Sequence, residues 1–301
     1  MADRILCLGE ALVDLICARP IASVGEAEAF VPHFGGVVAN VAVVAARAGA
    51  PVALAGAAGD DDWGRWLRGR LLEAGVDVSL FSLVPERLTT VALVAVDHSG
   101  EARYHVYAGG AGSGVARAVP DGLDEVVADS SALFISSNTL VEPDERELTM
   151  SAREAALAAD RPVVFDPNLR LHRWRSAADA AASSVACARE ALLVRCNHLE
   201  AALMTGEDDP ERAALSLVKA GARLVVITLG SGGAILRGEL RADAPGVPVS
   251  VVSTIGAGDV LTGVLLARLA ATGFYPAAVA AGLRDAVEAA ARVCERWGAV
   301  D

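Results

Sequence analysis

From residue 132 onward the chain alternates two patterns so regularly that few architectures can accommodate it. Short apolar runs at 132–135, 162–165, 191–194 and 223–228 alternate with stretches of helical spacing at about 143–159, 176–190, 197–205 and 210–220. Short runs that stay apolar without alternating read as strands covered on both faces, and parallel strands need a crossover, which a helix supplies. The rhythm therefore predicts an α/β fold, a three-layer α/β/α core with a mainly parallel sheet. Ligands of such sheets collect at the carboxyl ends of the strands. Three of these ends carry polar clusters: Asp166-Pro-Asn-Leu-Arg170, Asn197-His-Leu-Glu200 and Thr228-Leu-Gly-Ser-Gly-Gly233.

A fourth end has the most pointed chemistry. A strand expected to end at residues 251–252 meets Ser253-Thr-Ile-Gly-Ala-Gly-Asp259, and an apolar run at helical spacing follows. Two glycines and a small Ala257 let backbone N–H groups point one way with no Cβ in front of a ligand. The open N-terminus of the helix adds orphan donors and a positive dipole end, together an anion site. Asp259 stands in the first turn of that helix. As an ordinary helix cap it would need no further account. Beside an anion, a carboxylate makes sense as the acceptor of a proton from a hydroxyl attacking that anion, which is the logic of phosphoryl transfer.

The N-terminal half is less regular. Residues 4–17 form an apolar strand-like run interrupted by Glu10 and Asp14, and a carboxylate in such a run is costly unless something binds it. Asp14 is either an exposed strand-end residue or a hydroxyl acceptor in a pocket. Gly35-Gly36 permit close backbone approach to a ligand and open a helix ending at Gly49. Asn40, early in that helix, is either a packing amide or part of the same pocket. Asp60-Asp61-Asp62 begin another helix and read as dipole-stabilising acids rather than a metal site. Runs at 89–97 and 102–107 flank Asp97-His-Ser-Gly-Glu101 and predict a β-hairpin that, with the extended piece before Gly35, makes a small separate sheet. The glycine-rich 108–114 is a flexible exit and does not fit a dinucleotide fingerprint.

Composition removes several alternatives. Lys219 is the only lysine among 26 basic residues, and it sits in an Ala-rich helix facing solvent. A P-loop needs Gly-x-x-x-x-Gly-Lys-Ser/Thr and a protein kinase needs a strand lysine on the phosphates, so neither is available. The net charge of −12 disfavours nucleic acid as a partner. Five widely spaced cysteines offer no C-x-x-C pair, which argues against a disulfide framework or a structural zinc. Mean hydropathy is high at +0.42, but no run approaches the ~20 apolar residues of a membrane helix and no secretory signal is visible. The expectation is a cytoplasmic protein, with no membrane or nucleic-acid partner and with a homodimer left open.

These clusters together, in this order, resemble the ribokinase-like sugar kinases, the phosphofructokinase-B family. Thr254-Ile-Gly-Ala-Gly-Asp259 is similar to its C-terminal signature. Gly35-Gly36-x-x-x-Asn40, with Ala46-Arg-Ala-Gly and Gly56-x-x-Gly59-Asp-Asp, is similar to its N-terminal one. The resemblance implies one domain over 1–301 with a β lid from segments near 13–34 and 87–110. It implies that Asp259 is the catalytic base, with the amides of Gly256, Ala257 and Gly258 as anion hole. It implies sugar contacts from Asp14, Gly35, Gly36, Asn40 and Tyr107, with Arg170 on phosphate or sugar. Asn197, Thr228, Gly230 and Gly233 would serve ATP, and Glu200 would organise Mg2+ through water.

Gly9-Glu-Ala-Leu-Val-Asp14 and Phe165-Asp-Pro-Asn-Leu-Arg170 are most similar to fructokinases and 2-keto-3-deoxygluconate kinases. Two departures stand out. Ser253 replaces an aspartate that in the family often helps hold a monovalent cation, so the resemblance does not carry cation activation over. Ala108 replaces an arginine that commonly follows the lid tyrosine, which favours a neutral sugar such as fructose. The rival expectations are a ketodeoxygluconate or nucleoside kinase of the same family, or a sugar-binding relative without catalysis.

Overall fold

The computed structural model describes residues 4–107, 114–118 and 122–300. In chain order the strands are β1 (Ile5–Leu8), β2 (Leu12–Cys17), β3 (Phe30–Gly35), β4 (Val52–Gly59), β5 (Phe81–Val84), β6 (Val91–Val96) and β7 (Ala102–Tyr107). Then come β8 (Ala132–Ser136), β9 (Val163–Asp166), β10 (Leu193–Asn197), β11 (Leu224–Thr228), β12 (Gly233–Gly238) and β13 (Ala242–Pro245). The helices are α1 (Val37–Arg47), α2 (Asp62–Glu73), α3 (Val115–Ala118), α4 (Leu123–Ala128) and α5 (Pro143–Ala158). They continue with α6 (Ala177–Ala188), α7 (His198–Thr205), α8 (Pro210–Lys219), α9 (Ala257–Ala271) and α10 (Ala277–Val293).

Among the described residues nine strands form one sheet in the order β13-β12-β11-β10-β9-β8-β1-β4-β5. From β11 to β5 every pairing is parallel, while β12 and β13 add an antiparallel edge. The two-residue period of each strand divides the core. Cys7, Leu54, Phe134 and Val226 face one way, onto α1, α2, α9 and α10. Their neighbours Leu8, Ala55, Ile135 and Ile227 face the other way, with α3 to α8. This is the expected three-layer arrangement. Phe134 and Phe165 are wholly buried on opposite faces, and each such side chain contributes about 1.5–3 kcal/mol relative to exposure.

The run at residues 4–17 is two strands in two sheets. The chain leaves the large sheet at Leu8, turns at Gly9 and enters a second, four-stranded sheet at Leu12. A Cβ at Gly9 would collide with Val38 of α1, so the turn needs glycine. The second sheet has the order β3-β2-β6-β7 and is the anticipated lid. Its own small core holds Leu12, Ile16, Ala92, Val94 and Val96, and Ile255 from the far end of the chain joins it.

One expectation changes. Residues 251–252 are not a strand; the segment is irregular, and Val252 and Ser253 both donate to Cys294 O, at 2.8 and 3.1 Å, just beyond the end of α10. The glycine-rich exit from the hairpin lies, apart from Gly114, outside the described residues. Asp60, Asp61 and Asp62 behave as surface acids: Asp61 caps α2 through Gly64 N, 2.8 Å, and the other two pair with Arg65.

Candidate active site

The helix α9 that carries Asp259 is apolar all round because it is packed between α1 and α10. A Cβ at Gly263 would collide with Val44 of α1, so this glycine sets how closely the two helices approach. That approach brings Asn40, in the second turn of α1, against the first turn of α9. Asn40 Nδ2 donates to Asp259 Oδ2 at 2.8 Å. The helix is preceded by Gly256 as its N-cap, whose φ of 78° is left-handed and whose Cβ would collide with Ala299. Ala257 N makes only a long 3.3 Å bond to Thr254 O. The first-turn amides of α9 have no intrahelical partner and are open to an acceptor such as an anion.

Asp259 is 6% exposed. Burial pushes its carboxyl up to about 7; the Asn40 bond opposes this, nearby Asp166 adds to it, and Arg195 and Arg170 oppose it. An unperturbed aspartate titrates at ~3.9. The structure differs because the group is shut between α1, α9 and the strand ends, where ionisation loses its hydration.

The lid supplies the opposite wall. Asp14 on β2 is buried, and Oδ2 sits where a Cβ of Gly35 would be, so Gly35 cannot carry a side chain without displacing it. The pairings Asp14 with Ala92 and Ala92 with Val106 place Asp14 on the same face as Tyr104. Tyr104 faces Asp14, Arg170 and Asp259; burial and the two carboxylates raise its phenol above its ordinary pKa, and Arg170 opposes them. The Arg170 guanidinium lies over its ring, 5.0 Å from the centroid. Tyr107, three residues on, falls on the other face with Arg103 and His105 and is 55% exposed. The strand period brings Tyr104, and not Tyr107, into the cleft. Ala108 lies outside the described residues.

The polar clusters at the ends of β10 and β11 also converge. Asn197 Oδ1 accepts from Glu200 N and Glu200 Oε2 from Asn197 N, both at 2.9 Å, a reciprocal capping box. Glu200 Oε1 accepts from Leu169 N at 2.8 Å, which ties this helix start to the loop holding Arg170. Burial and Asp166 raise the Glu200 pKa, while Arg195 and the two amides pull it down. Each Glu200 oxygen keeps one lone-pair direction, which fits a water of a hydrated ion. Among the described residues no three His, Cys, Asp or Glu side chains form a metal cluster. Thr228 ends β11 and is followed by a turn at Gly230–Gly232, with left-handed Gly230 and Gly233. A Cβ at Gly233 would strike the Ala244 and Pro245 backbone.

Three further buried polar residues at the site take no role from the sequence alone. Arg195 is buried in β10, pairs with Asp166 (Nη1 to Oδ2 3.2 Å) and donates to Thr228 Oγ1 at 3.1 Å. Thr262 Oγ1, one turn beyond Asp259, lies 2.8 Å from Asp166 Oδ2. Glu10 is buried between the two sheets, where Oε1 accepts from Val37 N at 3.0 Å and from Asn138 Nδ2 at 2.8 Å, so it caps α1 behind Gly35-Gly36. The signal for Arg195 and Glu10 was present: each is a charge inside an apolar run. The hairpin tip is also clipped to the loop before the anion hole, since Thr254 N and Oγ1 lie 2.9 and 3.1 Å from Gly100 O. Two hollows of 310 and 450 Å³ open elsewhere on the surface and contain none of the predicted site residues.

A buried carboxylate at the open end of a helix, walled by a small sheet, is an arrangement suited to phosphoryl transfer to a small hydroxyl compound. The chain matches the pfkB family of carbohydrate kinases over residues 2–301 and belongs to it. It therefore transfers a phosphoryl group to a sugar hydroxyl. It is 30% identical over 268 residues to probable fructokinase-4 of Arabidopsis thaliana, covering 88% of this chain and 82% of that one. Fructokinase-2 of Solanum lycopersicum is 30% identical over 267 residues, 88% and 81% of the two chains. A fructokinase variant from Vibrio cholerae O395, solved with fructose, ADP and potassium ion, superposes with a TM-score of 0.85 at 26% identity, over 99% and 94% of the chains. Aminoimidazole riboside kinase from Salmonella enterica, solved with its riboside and an ATP analogue, gives 0.80 at 27% identity over 99% and 95%. Among the described residues no helix is long and apolar enough to cross a membrane.

Proposed function

We propose that the chain phosphorylates the primary hydroxyl of a neutral ketohexose, fructose first, with ATP as donor. The observation that carries this is the buried Asp259, hydrogen-bonded to Asn40 at the mouth of the α9 amides. Asp259 accepts the hydroxyl proton as the sugar oxygen forms a bond to the γ-phosphorus; the bond to the bridging oxygen breaks and ADP leaves. The amides at the start of α9 take up charge on the transferring group. Asp14, Asn40 and the backbone at Gly35-Gly36 bind and orient the sugar, Tyr104 covers it, and Arg170 reaches the phosphate side. Thr228, Gly230 and Gly233 hold the nucleotide with Asn197. Glu200 would organise a magnesium ion through water, and that ion would neutralise phosphate charge.

The fructokinase relatives support the sugar, and so does the lid: Arg103 points away from the cleft and donates to Ala22 O at 3.3 Å. A 2-keto-3-deoxy acid would have to place its carboxylate on Arg170, already engaged with Tyr104. We take residues 1–301 as one catalytic unit working in the cytoplasm. We also propose a homodimer, because the lid's edge strands β3 and β7 expose Val31 and Tyr107; sedimentation velocity tests it. An ADP-release assay over a sugar panel tests the activity. We expect kcat/KM for fructose to exceed that for 2-keto-3-deoxygluconate by at least about tenfold, a difference of ~1.4 kcal/mol. Preference for the acid would overturn the choice of sugar, and no sugar-dependent ADP release would overturn the reading.

A further inference from the structure

Arg195 is 6% exposed in the middle of the large sheet, where a guanidinium is costly unless it is paired. Its partners lie on three different parts of the site. Nη1 meets Asp166 at the end of β9, and Nη2 donates to Thr228 Oγ1 at the end of β11. The flat of the group lies against Gly258: a Cβ there would collide with Nη1, Nη2 and Cζ together. Asp166 reaches the same turn by a second route, because Thr262 Oγ1 is 2.8 Å from Asp166 Oδ2 and 3.0 Å from Gly258 O. Arg195 Nε is buried and has no hydrogen-bond partner. A pair whose task was only to join β9 to β10 could be replaced by apolar residues with little loss. It would not need a glycine above it, nor a bond to the nucleotide loop.

We propose that Arg195 is a positioning residue for phosphoryl transfer, fixing the spacing between Thr228 and Gly258 and setting a positive charge behind the transferring phosphoryl group. This rests on the kinase reading above. A planar, permanently charged fork suits the task, since it serves two acceptors and a flat contact at once. The charge also acts on the base. Asp259 is faced by Asn40 from α1, Tyr104 from β7, Asp166 from β9, Arg170 from the following loop and Arg195 from β10. Without Arg195, Asp166 would stand uncompensated near Asp259 and hold its proton on.

Arg195→Gln, Arg195→Lys, Asp166→Asn and the Gln/Asn double variant are compared with wild type for kcat, both KM values, the pH profile of kcat/KM and ATP affinity by calorimetry. Arg195→Gln should lower kcat roughly 100-fold and weaken ATP roughly tenfold, with fructose KM within about threefold. Its acid limb should move up by about one pH unit. Arg195→Lys should recover roughly tenfold of the kcat, keeping the charge and losing the fork. The double variant should stay as slow as Arg195→Gln. Recovery of the double variant to near wild type would mean that Arg195 merely neutralises Asp166 and would overturn the proposal. So would Arg195→Gln with unchanged ATP affinity and acid limb. If the Gln variant does not fold by thermal melting, the Lys variant decides: wild-type kcat and ATP affinity in it overturn the proposal. Should wild type itself lack sugar-dependent ADP release, the kinase reading fails, while ATP calorimetry on the same variants still tests Arg195.

Discussion

Asp259→Asn separates what the carboxylate does for chemistry from what it costs the fold. Burial raises the group to about 7 against an ordinary 3.8. The folded pKa is raised, so stability from the neutral form is complete below about pH 3.8 and is lost as pH rises through 7. At roughly 1.4 kcal/mol per pH unit, about 2 kcal/mol is lost by pH 5 and about 4 kcal/mol by pH 8. Asparagine is neutral throughout and keeps an acceptor for Asn40, so it avoids that loss. The advantage of the variant should grow by about 2 to 3 kcal/mol between pH 5 and 8. Unfolding entropy of ~2.1 cal/mol/K per residue over 301 residues converts this to about 4 °C. Melting wild type and variant across this range measures it, and the same samples assay turnover, which should fall roughly 10²–10⁴-fold. Wild-type kcat/KM should rise with pH on an acid limb near 7. A melting advantage that does not change with pH, or a variant keeping more than about a tenth of turnover, would refute the argument from burial.

Three further outcomes follow from the geometry. Gly35→Ala forces Asp14 Oδ2 aside, so fructose KM should rise at least roughly tenfold while ATP KM holds; steady-state kinetics with each substrate varied decides it. Tyr104→Phe should raise fructose KM several-fold and Tyr107→Phe should leave both constants alone, because only Tyr104 shares the face of Asp14; an effect of Tyr107 equal to that of Tyr104 would contradict the register. Ser253 is wholly buried and its hydroxyl accepts from Ile255 N at 3.2 Å, with no carboxylate to offer a cation, so turnover should respond little to potassium at constant ionic strength. Strong saturable activation would mean that backbone carbonyls alone hold such an ion.

What the amino-acid order determined by itself was local and periodic. Alternating short apolar runs and helical stretches dictated the parallel sheet, and the observed strands from β8 to β11 lie within three residues of their expected ends. The paired glycines at 35–36, the Gly-Ala-Gly-Asp turn and the Asn-x-x-Glu box were legible because their roles depend on near neighbours: a positive φ at Gly36 and Gly256, a capping box at Asn197 and Glu200. What stayed illegible depends on distant neighbours. A strand pattern says that Tyr104 and Tyr107 face opposite ways, but not which way is inward; the pairing of β7 with β6, and β6 with β2, decides that. Arg195 reads as an anomaly in Leu-Val-Arg-Cys-Asn until β9, β11 and α9 close around it. The ionisation of Asp259 belongs to the same class. Its pKa is set by burial and by charges at positions 166, 170 and 195, with a bond from position 40, and only folding brings those groups within reach of one carboxylate.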